Sequence, residues 1–320
     1  MTLAPLPPPP VRIREGDASW DLSRIVDALR GARQSRLEGD PLRRRGPLPS
    51  RDALDAIVRG LRSVLFPFHY GSSDLTEGGI DFFVGHTLDG TLRALQQQAR
   101  RTLAYESACL GGAPDEDHDT CAGELVAQFA ARLPHVRAML EQDIEAAYLG
   151  DPAAKSRAEI MFCYPGVSAI IHHRLAHELY GLGLTLLARV LSESAHSSTG
   201  IDIHPGADIG ERFFIDHGTG VVIGETCVIG DRVRLYQGVT LGAKSFPVDE
   251  RGALIKGRAR HPIIGDDVVI YAGATILGCV TIGAGSTIGG NVWLTRSVPP
   301  RSQITQAQAH SESFERGAGI

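Results

Sequence analysis

Two short runs in the second half of the chain carry residue types that do proton chemistry. Ile201-Asp202-Ile203-His204-Pro205 is followed by Phe214-Ile215-Asp216-His217, so Asp202 and His217 stand 15 residues apart. A carboxylate on one imidazole nitrogen fixes the tautomer and leaves the other nitrogen as a base. Asp and His are also common turn residues that cap backbone groups, and spacing alone leaves both roles open. His204, His217 and His261 offer another chemistry, because three imidazoles suit a catalytic zinc.

The element that would bring these residues together is a repeat. Aliphatic residues recur every six positions at Ile203, Ile209, Ile215 and Val221. After a two-residue slip they recur at Ile223, Ile229, Leu235 and Leu241, and a third series runs from Ile264 through Ile270, Ile276, Ile282 and Ile288 to Leu294. Four residues after most of them sits a small or β-branched residue, such as Ala207, Thr219, Cys227, Val233, Val239, Val268 or Ala274. Gly often follows the aliphatic, as at Gly210, Gly224 and Gly230, which accounts for much of the total of 37 glycines. Such a hexapeptide repeat predicts a left-handed parallel β-helix. Short strands point one aliphatic inward, three hexapeptides close a triangular coil of about 18 residues, and stacked coils pair their backbones. The step from Asp202 to His217 is near one coil. The gap from Leu241 to Ile264 is polar, with Lys244, Asp249, Glu250, Lys256, Arg258 and Arg260, and reads as a loop over 242–262 thrown out of the solenoid. Insertions of this kind often build a binding face.

Upstream, the period is helical. Leu54, Ile57, Val58, Leu61 and Leu65 form one apolar stripe, and Leu92, Leu95, Ala99 and Leu103 another. Leu125, Phe129 and Leu133 run into Pro134, which fits the first turn of a new helix continuing to Gly150. Pro165 opens a last helical stretch that Gly181 and Gly183 break. The expected fold class is therefore α+β. Residues 1–50 read as a mobile, proline- and arginine-rich arm, 51–198 as an α-helical domain, 199–300 as the β-helix, and 301–320 as a flexible tail.

Composition bounds the function. The chain has 320 residues, 43% hydrophobic and 22% charged, which suits a soluble protein and excludes a disordered chain or a membrane bundle. A net charge of −5 gives no basic field for nucleic acid. Five scattered cysteines without a C-x-x-C pair read as reduced thiols in a cytoplasmic protein, and Met1 to Pro10 lacks an export pattern.

The runs Asp202-Ile-His-Pro-Gly-Ala-Asp-Ile-Gly, Ile215-Asp-His-Gly-Thr-Gly-Val-Val-Ile-Gly-Glu-Thr, Gln237-Gly-Val-Thr-Leu-Gly and Arg260-His-Pro resemble serine O-acetyltransferase. Asp151-Pro-Ala and Tyr164-Pro-Gly-Val extend the likeness into the helical part, over about residues 140–300. The resemblance implies acetyl transfer from acetyl-CoA to the serine hydroxyl, in cysteine biosynthesis. It makes His217 the general base with Asp202 as its partner, and has Asp151, Asp216, Arg260 and His261 hold serine. Carboxylates suit the ammonium and Arg suits the carboxylate; for Asp151 a helix cap is the other reading. Gly242, Ala243, Ala272 and Gly273 match an acetyl-CoA slot between adjacent solenoids, although Gly and Ala are also the default residues of such turns. Lys244, Lys256 and Arg258 are placed either to reach CoA phosphates or to sit in solvent. The resemblance further implies a trimer or dimer of trimers, no bound cofactor or metal beyond acetyl-CoA as co-substrate, cysteine as feedback inhibitor, and a C-terminal peptide ending at Ile320 that enters O-acetylserine sulfhydrylase. Ala318 stands where compact members carry an acid. Three other functions remain open at this stage: an acetyltransferase for a sugar or antibiotic hydroxyl, a zinc hydratase like the gamma-class carbonic anhydrases, and a non-enzymatic scaffold.

Overall fold

Apolar stripes at helical spacing build the first half of the chain, in a computed structural model that describes residues 20–37, 48–110, 117–246 and 248–306. The helices are α1 (Leu22–Leu37), α2 (Arg51–Leu65), α3 (Pro67–Tyr70), α4 (Ile80–Leu110), α5 (His118–Gly150), α6 (Arg157–Cys163), α7 (Pro165–Gly181) and α8 (Thr185–Thr199). The stripe Leu54, Ile57, Val58, Leu61 and Leu65 is the buried face of α2, packed against α4 and α8. Ser50 starts that helix by accepting a hydrogen bond from the Ala53 N–H.

The structure corrects two expectations here. Pro134 does not open a new helix, because α5 runs unbroken through it. Proline removes one helical hydrogen bond, and the burial of Phe129, Leu133, Val136 and Leu140 on either side offsets that loss. Within the expected arm of residues 1–50, residues 22–37 form α1, with Leu22, Ile25, Val26 and Leu29 exposed.

The solenoid follows at the hexapeptide step. Its first face stacks β1 (Asp202–Ile203), β4 (Val222–Ile223), β7 (Thr240–Gly242), β10 (Thr275–Leu277) and β13 (Trp293–Leu294). The second stacks β2 (Asp208–Ile209), β5 (Val228–Ile229), β8 (Ile263–Ile264) and β11 (Thr281–Ile282). The third stacks β3 (Phe214–Ile215), β6 (Arg234–Leu235), β9 (Val269–Ile270), β12 (Thr287–Ile288) and β14 (Gln303–Ile304). All pairings are parallel and in register, as in Asp202↔Val222 and Val222↔Thr240. The aliphatic of each strand from Ile203 to Leu294 is buried. Thr219 departs from the pattern and is exposed. The two-residue slip lengthens the turn between β3 and β4, and Val221 fills the corner instead.

The helical body is clamped to the first coil. Arg174 of α7 makes two 3.1 Å bonds to Asp143 of α5 and donates to the carbonyls of Ile209 and Gly210 at 2.5 and 2.6 Å. Asp143 also accepts from the Phe213 N–H at 2.9 Å. Both charges are buried, and each is satisfied by partners from the other module. Gly166 lets the start of α7 touch β3, since a Cβ there would overlap the Ile215 carbonyl oxygen.

Two histidines at this junction, His173 and His204, and His172 on the side of α7 near Arg62 and Asp55 of α2 are held neutral. Burial pushes His172 and His173 down, His173 far down, and burial lowers His204 to about 4. An unfolded chain takes up these protons near pH 6.5, whereas the native chain does not. Acid therefore favours unfolding, and stability present above pH 6.5 is lost as pH falls towards 4. Thermal melts across that range are expected to show a falling midpoint. His173 Nδ1 is buried without a hydrogen-bond partner among the described residues. His173→Phe should therefore change stability at pH 8 by only about 1 kcal/mol or less and flatten the acid slope.

Candidate active site

The functional candidates sit at corners of the solenoid, where the repeat leaves side chains free to vary. One corner joins the third face to the first at residues 216–221; the other joins the first face to the second at residues 224–227 and through the loop 243–262.

Asp151, Tyr164, Asp216 and His217 meet at the first corner. Asp151 does not open a helix; it closes α5, its N–H bonded to the Ala147 carbonyl, while Ser156 caps α6. Its side chain accepts from the Ala153 N–H at 2.8 Å and from the Tyr164 hydroxyl. The Tyr164 bond, more than any other contact, holds the Asp151 carboxyl below the usual range, and the same bond helps push the Tyr164 hydroxyl up to about 12. Asp216 is buried, and its Oδ2 accepts from Arg234 at 2.5 Å. Its Oδ1 lies 3.9 Å from His217 Nε2. His217 has φ 58°, a left-handed turn that throws its imidazole outward, so that the side chain is 72% exposed. Gly218 follows at φ 91°, and a Cβ there would overlap Ile201.

No ion pair joins Asp202 to His217 among the described residues, although the turn that carries His217 lies against the start of β1, with the Gly220 N–H on the Gly200 carbonyl at 2.8 Å and the Asp202 N–H on the Val221 carbonyl at 2.9 Å. The residue stacked on Asp202 is Val222, because the first coil carries the extra two residues. Asp202 instead gathers with Glu193 and His196 at the end of α8. The carboxylate within ion-pair reach of His217 is Asp216.

Arg260 and His261 lie at the second corner. Arg260 Nη2 bonds Glu225 at 2.5 Å, and the Tyr180 hydroxyl donates to the other Glu225 oxygen at 3.0 Å. Thr226 N–H donates to His261 Nδ1 at 3.1 Å, which assigns the ring proton to Nε2. Burial, reinforced by Arg260, lowers the His261 pKa and keeps it neutral. Gly224 is required beside it, since a Cβ would overlap the imidazole. His204 shares this corner, in edge contact with Tyr180 at 5.6 Å.

Strand β4 separates the two corners by about 10 Å at roughly 3.3 Å per residue. Within one chain, Asp151, Asp216 and His217 therefore do not converge with Arg260 and His261, and His217 does not join His204 and His261 in a three-histidine zinc site. The residues expected at the acetyl-CoA slot divide in the same way. Gly242 and Ala243 end β7 at the second corner, while Ala272 and Gly273 precede β10 at the first. In the loop between β7 and β8, Phe246, Val248 and Leu254 are exposed, and Val248 bridges Leu254 in a short antiparallel turn. Ile320 and the terminal peptide lie outside the described residues.

Sequence reasoning left Arg234, Glu225, Tyr180 and Tyr164 without roles. Arg234 lies 18 residues after Asp216, but the slip makes this coil 20 residues long, so the register sets Arg234 on Phe214 and the regular period does not single it out. Glu225, Tyr180 and Tyr164 reach their partners across the long loop or from the helical body, where no period applies.

The bacterial transferase hexapeptide family (six repeats) matches residues 261–296. A plasmid serine acetyltransferase of Synechococcus elongatus is 60% identical over 311 residues, 94% of this chain and 96% of its own. The Mycobacterium tuberculosis serine acetyltransferase is 51% identical over 51% of this chain and 67% of its own. Among solved structures, Entamoeba histolytica serine acetyltransferase isoform 3 in complex with cysteine superposes with a TM-score of 0.68 at 34% identity, covering 92% of this chain and 96% of that one. Neisseria gonorrhoeae serine acetyltransferase in complex with serine gives 0.51 at 29% identity, over 81% and 97%. The helical body followed by a three-sided solenoid is thus the architecture of these enzymes, with a left-handed β-helix, and the chain belongs to the serine acetyltransferase family.

Proposed function

We propose that the chain transfers an acetyl group from acetyl-CoA to the L-serine hydroxyl in a pocket shared by two copies, with His217 as the base. The observation that carries this reading is the division of the site. The first corner presents carboxylates for an ammonium, Asp151 and Asp216, beside an exposed imidazole. The second presents Arg260 for a carboxylate and His261 as an Nε2–H donor. Serine is too short to span both corners of one chain. Solenoids set side by side around a threefold axis would place the first corner of one copy against the second corner of the next, a heterologous contact that closes into a ring. The exposed Phe246, Val248 and Leu254 of the loop give such a contact apolar surface.

In this arrangement His217 takes the hydroxyl proton as the serine oxygen attacks the thioester carbonyl, then returns it to the departing thiolate. Asp216 lies within ion-pair reach to stabilise the imidazolium as it forms, and Asp202, on the strand against which the His217 turn lies, is the other candidate for that role. Gly242 and Ala243 of one copy and Ala272 and Gly273 of the other line the acetyl-CoA slot, where small side chains admit the pantetheine arm. Cysteine competes for the serine pocket, consistent with the cysteine complex of the Entamoeba relative. A role in cysteine biosynthesis fits a cytoplasmic enzyme, and no described helix is long and apolar enough to cross a membrane. The peptide ending at Ile320 remains the proposed anchor for O-acetylserine sulfhydrylase.

Serine-dependent release of CoA tests the activity directly. His217→Ala is expected to lower kcat by about 10²–10⁴ while the mass in solution stays unchanged; survival of turnover within a few-fold would remove His217 from the mechanism. Mixing tests the shared site. His217→Ala and Arg260→Ala spoil different corners, so trimers re-formed from an equal mixture of the two inactive variants should regain about one quarter of the sites. Mixed trimers without activity would place the whole pocket in one chain.

A further inference from the structure

We propose that Arg234 is a positioning residue of the serine pocket, fixing the separation of the two carboxylates that take the ammonium. The proposal rests on the serine acetyltransferase reading.

Arg234 occupies the outward position of β6, one coil beneath Phe214 of β3. Its guanidinium carbon lies over two aromatic rings, 5.0 Å from the Phe214 centroid and 4.7 Å from that of Tyr236. Tyr236 is itself stacked on Tyr271, with centroids 5.0 Å apart. The plane of the fork is thereby set by the solenoid. Its two ends reach different modules. Nη2 donates to Asp216 Oδ2 at 2.5 Å, and Nη1 donates to the Gly150 carbonyl at 2.7 Å. Gly150 is the last residue of α5 and immediately precedes Asp151. One rigid group therefore ties the Asp216 carboxylate to the peptide that carries Asp151. It also leaves Asp216 Oδ1 turned to the His217 side.

The remaining donor makes the same point. Nε of Arg234 is buried without a hydrogen-bond partner among the described residues. A buried unpaired donor costs stability. A lysine or methionine would pack against the same rings without it. What only the fork supplies is simultaneous contact with Asp216 and Gly150, which is geometry rather than solenoid stability. Asp151 and Asp216 bring two negative charges and Arg234 cancels one, so its removal leaves more negative charge beside the ammonium, and a rise in serine KM on that removal reports the lost geometry and not the charge.

The test is steady-state kinetics on the full-length assembled enzyme, comparing wild type with Arg234→Gln and Arg234→Lys. Wild-type activity with serine is the control for the underlying reading; its absence would overturn that reading and this proposal together. With an active wild type, R234Q should raise KM for serine by roughly 10- to 100-fold, the scale of a lost hydrogen bond to a charged group, and leave KM for acetyl-CoA within about two-fold. R234K keeps the charge but not the fork and should fall between the two. A structural role would not alter the discrimination between serine and 3-hydroxypropionate, which lacks the ammonium. Under this proposal the wild-type preference for serine shrinks in R234Q by the same factor as KM rises. If R234Q does not assemble, R234K carries the comparison, with a several-fold rise in serine KM alone expected. An unchanged serine KM in an active variant, or equal losses for both substrates with a lowered melting midpoint, would overturn the proposal.

Discussion

The constraint that organises the molecule is the backbone pairing between coils. Each short strand hydrogen-bonds to the strand one coil before and one coil after it, in parallel and in register. Two or three residues per strand make too few contacts to stand alone, so the stack is the stable unit. The register also dictates where the chain can change length. An extra residue inside a strand would flip its inward aliphatic outward, whereas a corner absorbs extra residues without cost to the ladder. The two insertions in this solenoid, the two-residue slip after Asp216 and the loop between β7 and β8, sit at corners, as does the shortened step from Leu294 to Val298. The site candidates sit at the two insertions.

This explains what the sequence made legible. Inward aliphatics from Ile203 to Leu294 obey a strict period because each must fill the same triangular core, and all are buried. The helical stripes were equally readable on α2, where one face alone meets the core. Contacts that cross modules were not. Asp202 and His217 stand 15 residues apart, yet the slip puts Val222 over Asp202, and it is Asp216 that comes within ion-pair reach of the His217 imidazole, which a left-handed residue turns outward. Glu225 meets Arg260 only because the long loop returns to its root, and no period encodes that return. Pro134 misled because a helix buried on both sides tolerates one missing bond. The candidate site residues were named through family likeness, and their division between two corners was legible only in three dimensions.

The helical body has a positional role in this arrangement. It ends α5 at Gly150, so that Asp151 emerges beside Asp216, and it starts α7 at Gly166, where only glycine clears the Ile215 carbonyl. The Asp143–Arg174 pair fixes how α5 and α7 sit on the first coil. Burying such a pair gains little net stability over apolar packing, but it is directional in a way that apolar packing is not. Four bonds from one guanidinium to a carboxylate and two carbonyls permit one docking pose, and an error in that pose would move Asp151 relative to His217.

Each corner is electrostatically satisfied in the isolated chain. Asp216 is paired with Arg234, and Arg260 with Glu225. An unpaired Arg260 or Asp216 awaiting substrate would be costly in a half-buried setting. The pairing keeps each half stable before assembly; Asp216 Oδ1 stays outside the bond to Arg234, and Nε of Arg260 stays outside its bonds to Glu225 and to the Arg258 carbonyl. A zwitterion fits this geometry because its ends have opposite needs, and in the proposed arrangement those needs are met on different copies. Serine or cysteine bound there bridges two chains, so by linkage the ligand favours the assembled state to the extent that it binds only that state. Assembly and substrate recognition then draw on the same contacts, since the corners that cannot meet within one solenoid are the ones brought together between solenoids.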